Sequence, residues 1–479
     1  MNHRAKNYFS HQWQNGSGNI GISHDPATWQ PVAEYSCATT AEFETGVSAA
    51  RHAFDCGTWP HQPRLRAEIL YEFAELLQAR SREIEPVLVQ LNGKLIKEAR
   101  GEIGAAISEL KYYAGLARNL WGRVAEIDSG CYSMIAKEGA GVVGIIVPWN
   151  APVTLLIRSL APALAAGCTA VLKVAHQTSL VHQMVLECLT DISSLPQDIV
   201  CSFVEDGSDI SKRMCEHPLI DVISFTGSSQ TGKKIAASSS GTLKRLSLEL
   251  GGKAPAIVLS DVKVDAAVNQ LVAGALPMAG QQCTAIARIL IDNTRFDEVS
   301  QRLVSALSAI KLGPGADLNS QMGPLIDIAN RDRIARLIDS AKTQGKVHLE
   351  GRVPSGVLSK GAFVTPTLVE IEDLNSSFVQ DEIFGPFIVI ERFNSSDEAI
   401  ERANATRFGL AASVWGENRE HARKLASKLK SGTVWLNCHN RLFAEAETGG
   451  YRESGYGRLH GLQGLDDFMS TKHVYWEDH

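Results

Sequence analysis

Several patterns are missing from the 479-residue chain, and each absence removes a class of function. Its nine cysteines are scattered, odd in number and without a Cys-x-x-Cys pair, so neither a disulfide framework nor a zinc site is expected. A reducing compartment fits that usage. The fourteen histidines show no His-Glu-x-x-His spacing, so no metal is expected. Basic runs are lacking: Lys233-Lys234 is only a pair, and the net charge is −6, which excludes a polyanion-binding arm and a nucleic-acid partner. The start, Met1-Asn2-His3-Arg4-Ala5-Lys6-Asn7, is polar and no apolar region follows it, so no secretory signal is expected. The most apolar stretch, 142–174, is interrupted by Asn150, Arg158 and Lys173 and is unsuited to span a bilayer. A cytoplasmic location without membrane association is the resulting expectation. No internal repeat or low-complexity segment is evident.

What is present is a long globular chain with alternating strand and helix signals. Its length exceeds a single core and predicts two or three domains. Residues 1–39 read as turn-rich. A helix is expected from Ala41, with Phe43, Val47, Ala50 and Phe54 on one face; another carries Ile69, Phe73, Leu76 and Leu77; a third covers 103–120. Between 121 and 139 the pattern alternates and predicts an extended excursion.

From Gly141 to Val147 a short, β-branched, continuous run predicts a buried strand, ended by Pro148. A helix to Gly167 and a strand over 169–174 complete a βαβ unit, whose strands should be parallel. A helix over 180–189, a strand over 199–204, one over 222–225, a helix over 230–238 and a strand over 244–250 follow. Such alternation predicts a doubly wound nucleotide-binding sheet. It restarts after Gly251-Gly252, with strands over 255–259 and 288–291 and helices over 264–278, 296–310 and 329–343. The fold class is therefore α/β, with two α/β domains meeting near Gly251. Clefts at such junctions bind ligands.

Three short segments carry the chemistry. Gly280-Gln281-Gln282-Cys283 places one cysteine in a polar setting, Leu248-Glu249-Leu250-Gly251-Gly252-Lys253 places a lone carboxylate before two glycines, and Pro148-Trp149-Asn150 ends a strand. Each is weak by itself. A free cysteine is usually a small buried hydrophobe. Asn150 is equally suited to cap the helix after it. Glu249 has the plain alternative of an ion pair with Lys244 or Lys253.

Together with Glu382-Ile383-Phe384-Gly385-Pro386, these segments stand in the order seen in the NAD(P)-dependent aldehyde dehydrogenase superfamily, which the chain resembles from its early helices to Lys472. The resemblance implies an aldehyde-dehydrogenase-like fold. A Rossmann-type cofactor domain would take 1–120 and 140–250, with about 452–468. A catalytic domain would take 251–451. A small β oligomerisation arm would take 121–139 and 469–479, for which an ordinary hairpin is the plain alternative. A homodimer or homotetramer is implied.

The implied reaction oxidises a small-molecule aldehyde to the acid. Cys283 is the nucleophile, a thiolate being far more nucleophilic than a hydroxyl near neutral pH. Asn150 donates to the oxyanion beside the Cys283 N–H, and Glu249 is the base for the hydrolytic water, its apolar strand favouring a raised pKa. Relatives that pass the acyl group to coenzyme A lack this glutamate, so hydrolysis is favoured over acyl transfer. A non-catalytic relative is disfavoured because Cys283, Glu249 and Asn150 all stand.

The cofactor is NAD or NADP, with NAD slightly favoured. By resemblance, Lys173 and residue 176 meet the adenosine ribose. Thr226-Gly227-Ser228 meets the pyrophosphate near a helix start, Glu382 the nicotinamide ribose, and Phe384, Ile146 and Trp149 line the approach. The chain departs from the standard dinucleotide fingerprint: no Gly-x-Gly-x-x-Gly is expected in it, and Glu205-Asp206-Gly207 keeps only Gly207 of a looser glycine pattern. On the substrate side, Arg158 and Leu155 lie on the helix after Asn150. Gln282 and Thr284 flank Cys283, and Arg441 and Leu442 belong to a segment at the substrate mouth. In succinate-semialdehyde-like relatives an arginine at the Arg158 position binds a carboxylate, a task suited to its fork of donors. The second arginine of those relatives falls at Pro277, so the match is partial. Arg158 has the plain alternative of a salt bridge at a subunit or domain contact, and neutral aliphatic or aromatic aldehydes are the competing substrates.

Two departures matter. Many relatives carry a glutamate for proton relay where this chain has Leu462, so Glu249 is expected to work through water alone. Many NAD-preferring relatives carry a glutamate where this chain has His176. Without that acid a 2′-phosphate is not repelled, and a partly protonated imidazole would attract it. NADP should therefore be tolerated: the ratio of kcat/KM for NAD over NADP should stay below about 10³, and a larger ratio, equivalent to more than ~4 kcal/mol, would refute the reading.

Overall fold

The computed structural model describes residues 4–478; residues 1–3 and 479, which fall within the expected cofactor domain and arm, lie outside the described residues. The first segment is less irregular than its turn-rich composition suggested. It forms five short strands, β1 (Arg4–Ala5), β2 (Asn7–Phe9), β3 (Gln12–Gln14), β4 (Ile20–His24) and β5 (Pro31–Ser36). Strands this short carry too few alternations to register as a period. Tertiary hydrogen bonds hold them: Asn7 is buried, donates to Ser36 O and accepts from Val204 N.

Three helices follow. α1 (Thr40–Cys56) opens on a capping box, in which Thr39 Oγ1 accepts from Glu42 N at 3.3 Å and Glu42 Oε2 accepts from Thr39 N at 2.7 Å. α2 (Pro63–Asn92) ends at Gly93, whose φ of 83° is the left-handed turn that glycine favours. α3 begins at Ile96, earlier than its apolar stripe indicates, because Glu98 Oε2 accepts from Leu95 N at 2.8 Å, and it runs to Ala117.

The chain then leaves the body as β6 (Arg123–Asp128) and β7 (Cys131–Gly139), against which Met469–Glu477 pairs antiparallel to make a three-stranded sheet. This arm exposes Trp121, Val124, Ile127 and Trp476.

The parallel sheet is built next by β8 (Val142–Ile146), α4 (Pro152–Ala166), β9 (Thr169–Ala175), α5 (Ser179–Thr190), β10 (Val200–Glu205), α6 (Asp209–Glu216), β11 (Val222–Thr226), α7 (Ser229–Ser239) and β12 (Arg245–Glu249). Its core order is β12-β11-β8-β9-β10, with all four pairings parallel. Gly455–Tyr456 adds one antiparallel edge, and β2 and β3 add the other, giving eight strands. Strand order reverses at β8, so a crevice opens between the carboxyl ends of β8 and β11, where doubly wound sheets bind ligands. Two strings, 16–21 and 139–144, do have Gly-x-Gly-x-x-Gly spacing, but the first runs into β4 and the second into β8. Neither opens a helix, so neither is a phosphate loop.

A seven-stranded sheet follows, from β13 (Ala254–Val258) and β14 (Ile286–Asp292) to Thr433–Leu436. It is parallel except for Lys346–Leu349 at one edge. α8 (Val264–Ala275) stops short of the expected Met278. Pro277 disfavours helical geometry at the residue before it, and Met278 and Ala279 turn to φ 50° and 56°.

The second core is pinned by a fully buried ion pair. Arg288 on β14 donates to both Glu391 oxygens, at 2.6 and 2.9 Å, and both side chains are inaccessible. Breaking such a pair strands a desolvated charge at a cost of about 3–5 kcal/mol. Glu391→Ala should lower the unfolding free energy measured by denaturant titration by that amount, whereas replacing Arg288 and Glu391 together with apolar residues of similar volume should cost much less. Equal losses would show that the pair does not act as a unit.

Candidate active site

Between the two sheets lies a cavity of about 420 Å³. It is walled by α3, the start of α4, the end of β12, the segment 277–284 and residues 440–449, with His460. Cys283 opens partly onto it.

The nucleophile segment is held from several directions. Gly280 has φ 76°, and a Cβ there would stand 2.3 Å from Gly385 O. A Cβ on Gly252 would stand 2.4 Å from Cys283 O. Three of the four sequence segments therefore touch backbone to backbone, which only glycine permits. Gln281 is buried; its Oε1 accepts from Ile326 N, and its carbonyl accepts from Asn150 Nδ2 at 3.1 Å. The strained Met278 is held by its N–H to Glu98 Oε1 at 2.8 Å.

Asn150 does not cap α4. That helix start receives Glu102 from α3, whose Oε1 accepts from Val153 N at 2.7 Å and Thr154 N at 3.3 Å. Lys94 pairs with Glu102 and donates to Asn150 O at 3.0 Å. Asn150 is thus fixed by its backbone; its Nδ2 donates to Gln281 O, and the residue lines the cavity.

Glu249 ends β12 and is buried. It pairs with neither expected lysine: Lys244 Nζ donates to the carbonyls of His217 and Ile220, and Lys253 Nζ has no partner among the described residues. The nearby cation is Arg158, with Nη1 3.8 Å from Glu249 Oε2. Arg158 Nη2 donates to Thr226 Oγ1 at 3.0 Å, and its Nε is buried without a partner. Arg158 is therefore a cavity residue and not a domain-surface salt bridge.

Burial dominates the protonation of this site. Desolvation raises the Glu249 carboxyl above its usual range, with Arg158 and then His460 opposing it. The Cys283 thiol is pushed up to about 12 by desolvation, with Arg158 the leading opposing charge. Burial thus favours the protonated form of both groups.

The cofactor candidates gather along the carboxyl ends of the parallel strands. Ile146 ends β8 and Trp149 follows it, and the Trp149 ring meets Phe384 edge-on at 5.8 Å. Glu382 accepts from Gly252 N at 3.1 Å; desolvation raises its carboxyl to about 7 and lowers Lys253 to about 7. Thr226 ends β11, Gly227 follows it, and Ser228 caps α7 by accepting from Thr231 N. Lys173 lies in β9 and His176 just after it. Burial first, and then the Lys173 charge, lower the His176 pKa, which works against the expected attraction of a 2′-phosphate by a protonated ring. Gly207 is exposed, and a Cβ there would meet nothing within 4 Å.

On the substrate side, Leu155, Gln282, Thr284 and Leu442 join Arg158 in the cavity wall. Gln282 Nε2 donates to Thr284 Oγ1, which in turn donates to Asn440 Oδ1 at 2.7 Å. Arg441 does not join them: it is exposed and outside the lining, while its carbonyl accepts from Trp435 Nε1.

Residues 13–474 match the aldehyde dehydrogenase family. The chain belongs to that family. It is 34% identical over 455 residues to betaine aldehyde dehydrogenase of Bacillus subtilis, covering 94% of this chain and 93% of that protein. It is 35% identical over 476 residues to human retinaldehyde dehydrogenase 3, covering 98% and 92%. Among solved structures, betaine aldehyde dehydrogenase from Staphylococcus aureus in complex with NAD+ superposes with a TM-score of 0.96 at 32% identity, over 99% of this chain and 95% of that one. The protein is an aldehyde dehydrogenase, an oxidoreductase of aldehydes that uses NAD(P)+.

Among the residues of this dehydrogenase's cavity that sequence reasoning did not single out are Lys94, Glu102, Glu109 and His460; the last two form a buried pair with Nδ1 to Oε2 at 2.8 Å. A signal was available: Glu109 is a carboxylate on the apolar face of α3, beside Ala106, Leu110 and Tyr113. Among the described residues, no group of acidic, His and Cys side chains is arranged to hold a metal ion, and no helix is long and apolar enough to cross a membrane.

A thiol whose pKa is raised yields thiolate only as pH rises. Alkylation of Cys283 by iodoacetamide in the cofactor-free protein, followed by peptide mapping, should be slow at pH 7 and still climbing above pH 9. A plateau reached below pH 8 would contradict the buried-thiol geometry.

Proposed function

We propose that Cys283, Asn150 and Glu249 carry out hydrolytic aldehyde oxidation, with Arg158 selecting an aldehyde that bears a carboxylate or another anionic group. The observation that carries the substrate reading is Arg158 itself: a buried cation in the cavity wall, with Nε unpartnered and Nη1 beyond hydrogen-bond reach of Glu249. A guanidinium with spare donors in a low-dielectric cavity favours a bidentate carboxylate.

In this reading Glu249, once ionised, takes the thiol proton and the Cys283 sulfur adds to the aldehyde carbon. The side-chain amide of Asn150 and the Cys283 N–H hold the oxyanion, an arrangement in which one donor contributes about 3–4 kcal/mol. NAD(P)+, when bound, supplies the hydride acceptor that makes the step an oxidation. The residues suited to hold it are Trp149 and Phe384 as flat apolar contacts, Glu382 for ribose hydroxyls, Ser228 with the α7 start for the pyrophosphate, and Lys173 for the adenosine ribose. The unpartnered Lys253 amine and the Glu382 carboxyl beside Gly252 are consistent with a polar group that normally completes this crevice. Glu249 passes the thiol proton to solvent through cavity water and, ionised again, removes a proton from the hydrolytic water; the water oxygen attacks the thioester carbon, and the carbon–sulfur bond breaks with its electron pair on the Cys283 sulfur to release the acid.

Since burial disfavours a charged His176, cofactor choice rests mainly on the lack of an acid at that position, so NAD is slightly favoured and NADP tolerated. Residues 1–120 and 140–250, with about 452–468, are assigned to the cofactor domain, since they supply the eight-stranded sheet and its flanking helices. Residues 251–451 are assigned to the catalytic domain. The exposed apolar residues of 121–139 and 469–479 support a homodimer or homotetramer. Nine free cysteines support a cytoplasmic location.

A second reading, a neutral aliphatic or aromatic aldehyde, is supported by the apolar walls at Leu155, Met278, Leu442 and Phe443. Initial rates at 340 nm with succinate semialdehyde, hexanal, benzaldehyde and betaine aldehyde separate the two. Cys283→Ala should abolish all activity. Arg158→Ala should raise KM for succinate semialdehyde at least about tenfold beyond any change for hexanal, the size expected for one charge-assisted pair. Equal changes for both substrates would make Arg158 a partner of Glu249 only.

A further inference from the structure

The polar end of the cavity holds a pair that none of the roles above uses. Glu109 on α3 and His460 are both buried, and Nδ1 of the imidazole lies 2.8 Å from Glu109 Oε2. A carboxylate can only accept, so Nδ1 carries the hydrogen and Nε2 is left as the basic nitrogen. Nε2 has no hydrogen-bond partner among the described residues, and His460 lines the cavity. The mounting is firm: Tyr113, one turn after Glu109, donates its hydroxyl to Gly461 O at 3.1 Å. One helix thus holds both the ring and the backbone beside it.

The surroundings are built for water. Glu109 Oε1, Arg158 Nε, Glu249 Oε1, Asn440 Nδ2 and Thr448 Oγ1 all lack partners, are buried, and belong to residues lining this one cavity. Buried polar atoms of that kind are ordinarily satisfied by ordered water. Leu462 is 59% exposed and brings no group into the cavity.

We propose that His460, oriented by Glu109, is the proton relay of deacylation, receiving through cavity water the proton that Glu249 takes from the hydrolytic water. This rests on the hydrolytic role proposed for Glu249. In balance, water loses one proton to Glu249, its oxygen bonds to the acyl carbon, and the Cys283 sulfur leaves with the electron pair of the broken bond. The proton on Glu249 moves through water to His460 Nε2, the imidazolium is held by the Glu109 carboxylate, and the proton then passes to solvent at the mouth. Glu249 is ionised again. Glu109 is a positioning residue, acting through the ring.

Acyl-enzyme hydrolysis can be followed without cofactor by using p-nitrophenyl acetate, which acylates a reactive cysteine directly. The parent protein should release a burst of nitrophenolate equal to the active sites, then a steady phase set by deacylation. His460→Gln and Glu109→Gln should keep the burst and slow the steady phase about tenfold or more, within the range of one acid–base group. His460→Ala should be restored by added imidazole and not by pyrazole, which has the same shape and little basicity. A steady phase within twofold of the parent in both Gln variants, loss of the burst in protein of unchanged fold, or equal restoration by imidazole and pyrazole would each overturn the relay. Glu249→Gln run alongside keeps the two ideas apart. If it slows the steady phase while the His460 variants do not, only the relay falls. If it does not, the hydrolytic role of Glu249 falls and the relay with it.

Discussion

The site depends on backbone touching backbone around Cys283. The chain carrying Glu249 out of β12 passes so close to the nucleophile that a methyl group at position 252 would stand 2.4 Å from the Cys283 carbonyl oxygen. A methyl at 280 would stand 2.3 Å from the carbonyl of Gly385, in the same short segment as Glu382 and Phe384. Packing at that range leaves no room for a side chain and little for relaxation. The Cys283 thiol, the Glu249 carboxyl and the crevice residues are therefore spaced by main chain, which is stiffer than any side-chain contact. The left-handed Met278 and Ala279 are strained parts of the same arrangement, held by Glu98 and Gln281.

A second constraint is electrostatic. Three basic side chains line the cavity, and each faces a carboxylate: Lys94 with Glu102, Arg158 with Glu249, and His460 with Glu109. The first pair is structural, tying α3 to the start of α4 and to Asn150. The second is loose at 3.8 Å, so neither partner is fully satisfied and both retain capacity to engage water or substrate. The third leaves one ring nitrogen unused. Desolvation raises the thiol and the Glu249 carboxyl together, so the resting site favours bound protons that must be moved during turnover.

Legibility in the sequence was uneven for identifiable reasons. The βαβ alternation from Gly141 to Glu249 was readable because buried parallel strands are continuous β-branched runs and glycines such as Gly167 stop the helices between them. The nucleophile, carboxylate and asparagine segments were readable because glycine, proline and a lone polar residue in an apolar run are locally unusual. The short strands of residues 4–36 were not, because they hold by pairing with distant elements. The plain alternative for Glu249 named the lysines at 244 and 253 because they are near in sequence, while Arg158 arrives from a helix 91 residues earlier by fold alone.

By itself, then, the chain determined the α/β class, the order of its strands and helices, and the residue types that a thiol-based aldehyde oxidation requires, because those are set by local patterning and short spacings. Only the tertiary structure decided that Asn150 faces the Cys283 segment while Glu102 caps α4, that burial lowers the pKa of His176, that Arg441 stands outside the cavity, and that Glu109 and His460 meet inside it. Those outcomes depend on burial and on contacts between residues up to 351 positions apart. Burial and such contacts come from packing, which no local pattern encodes.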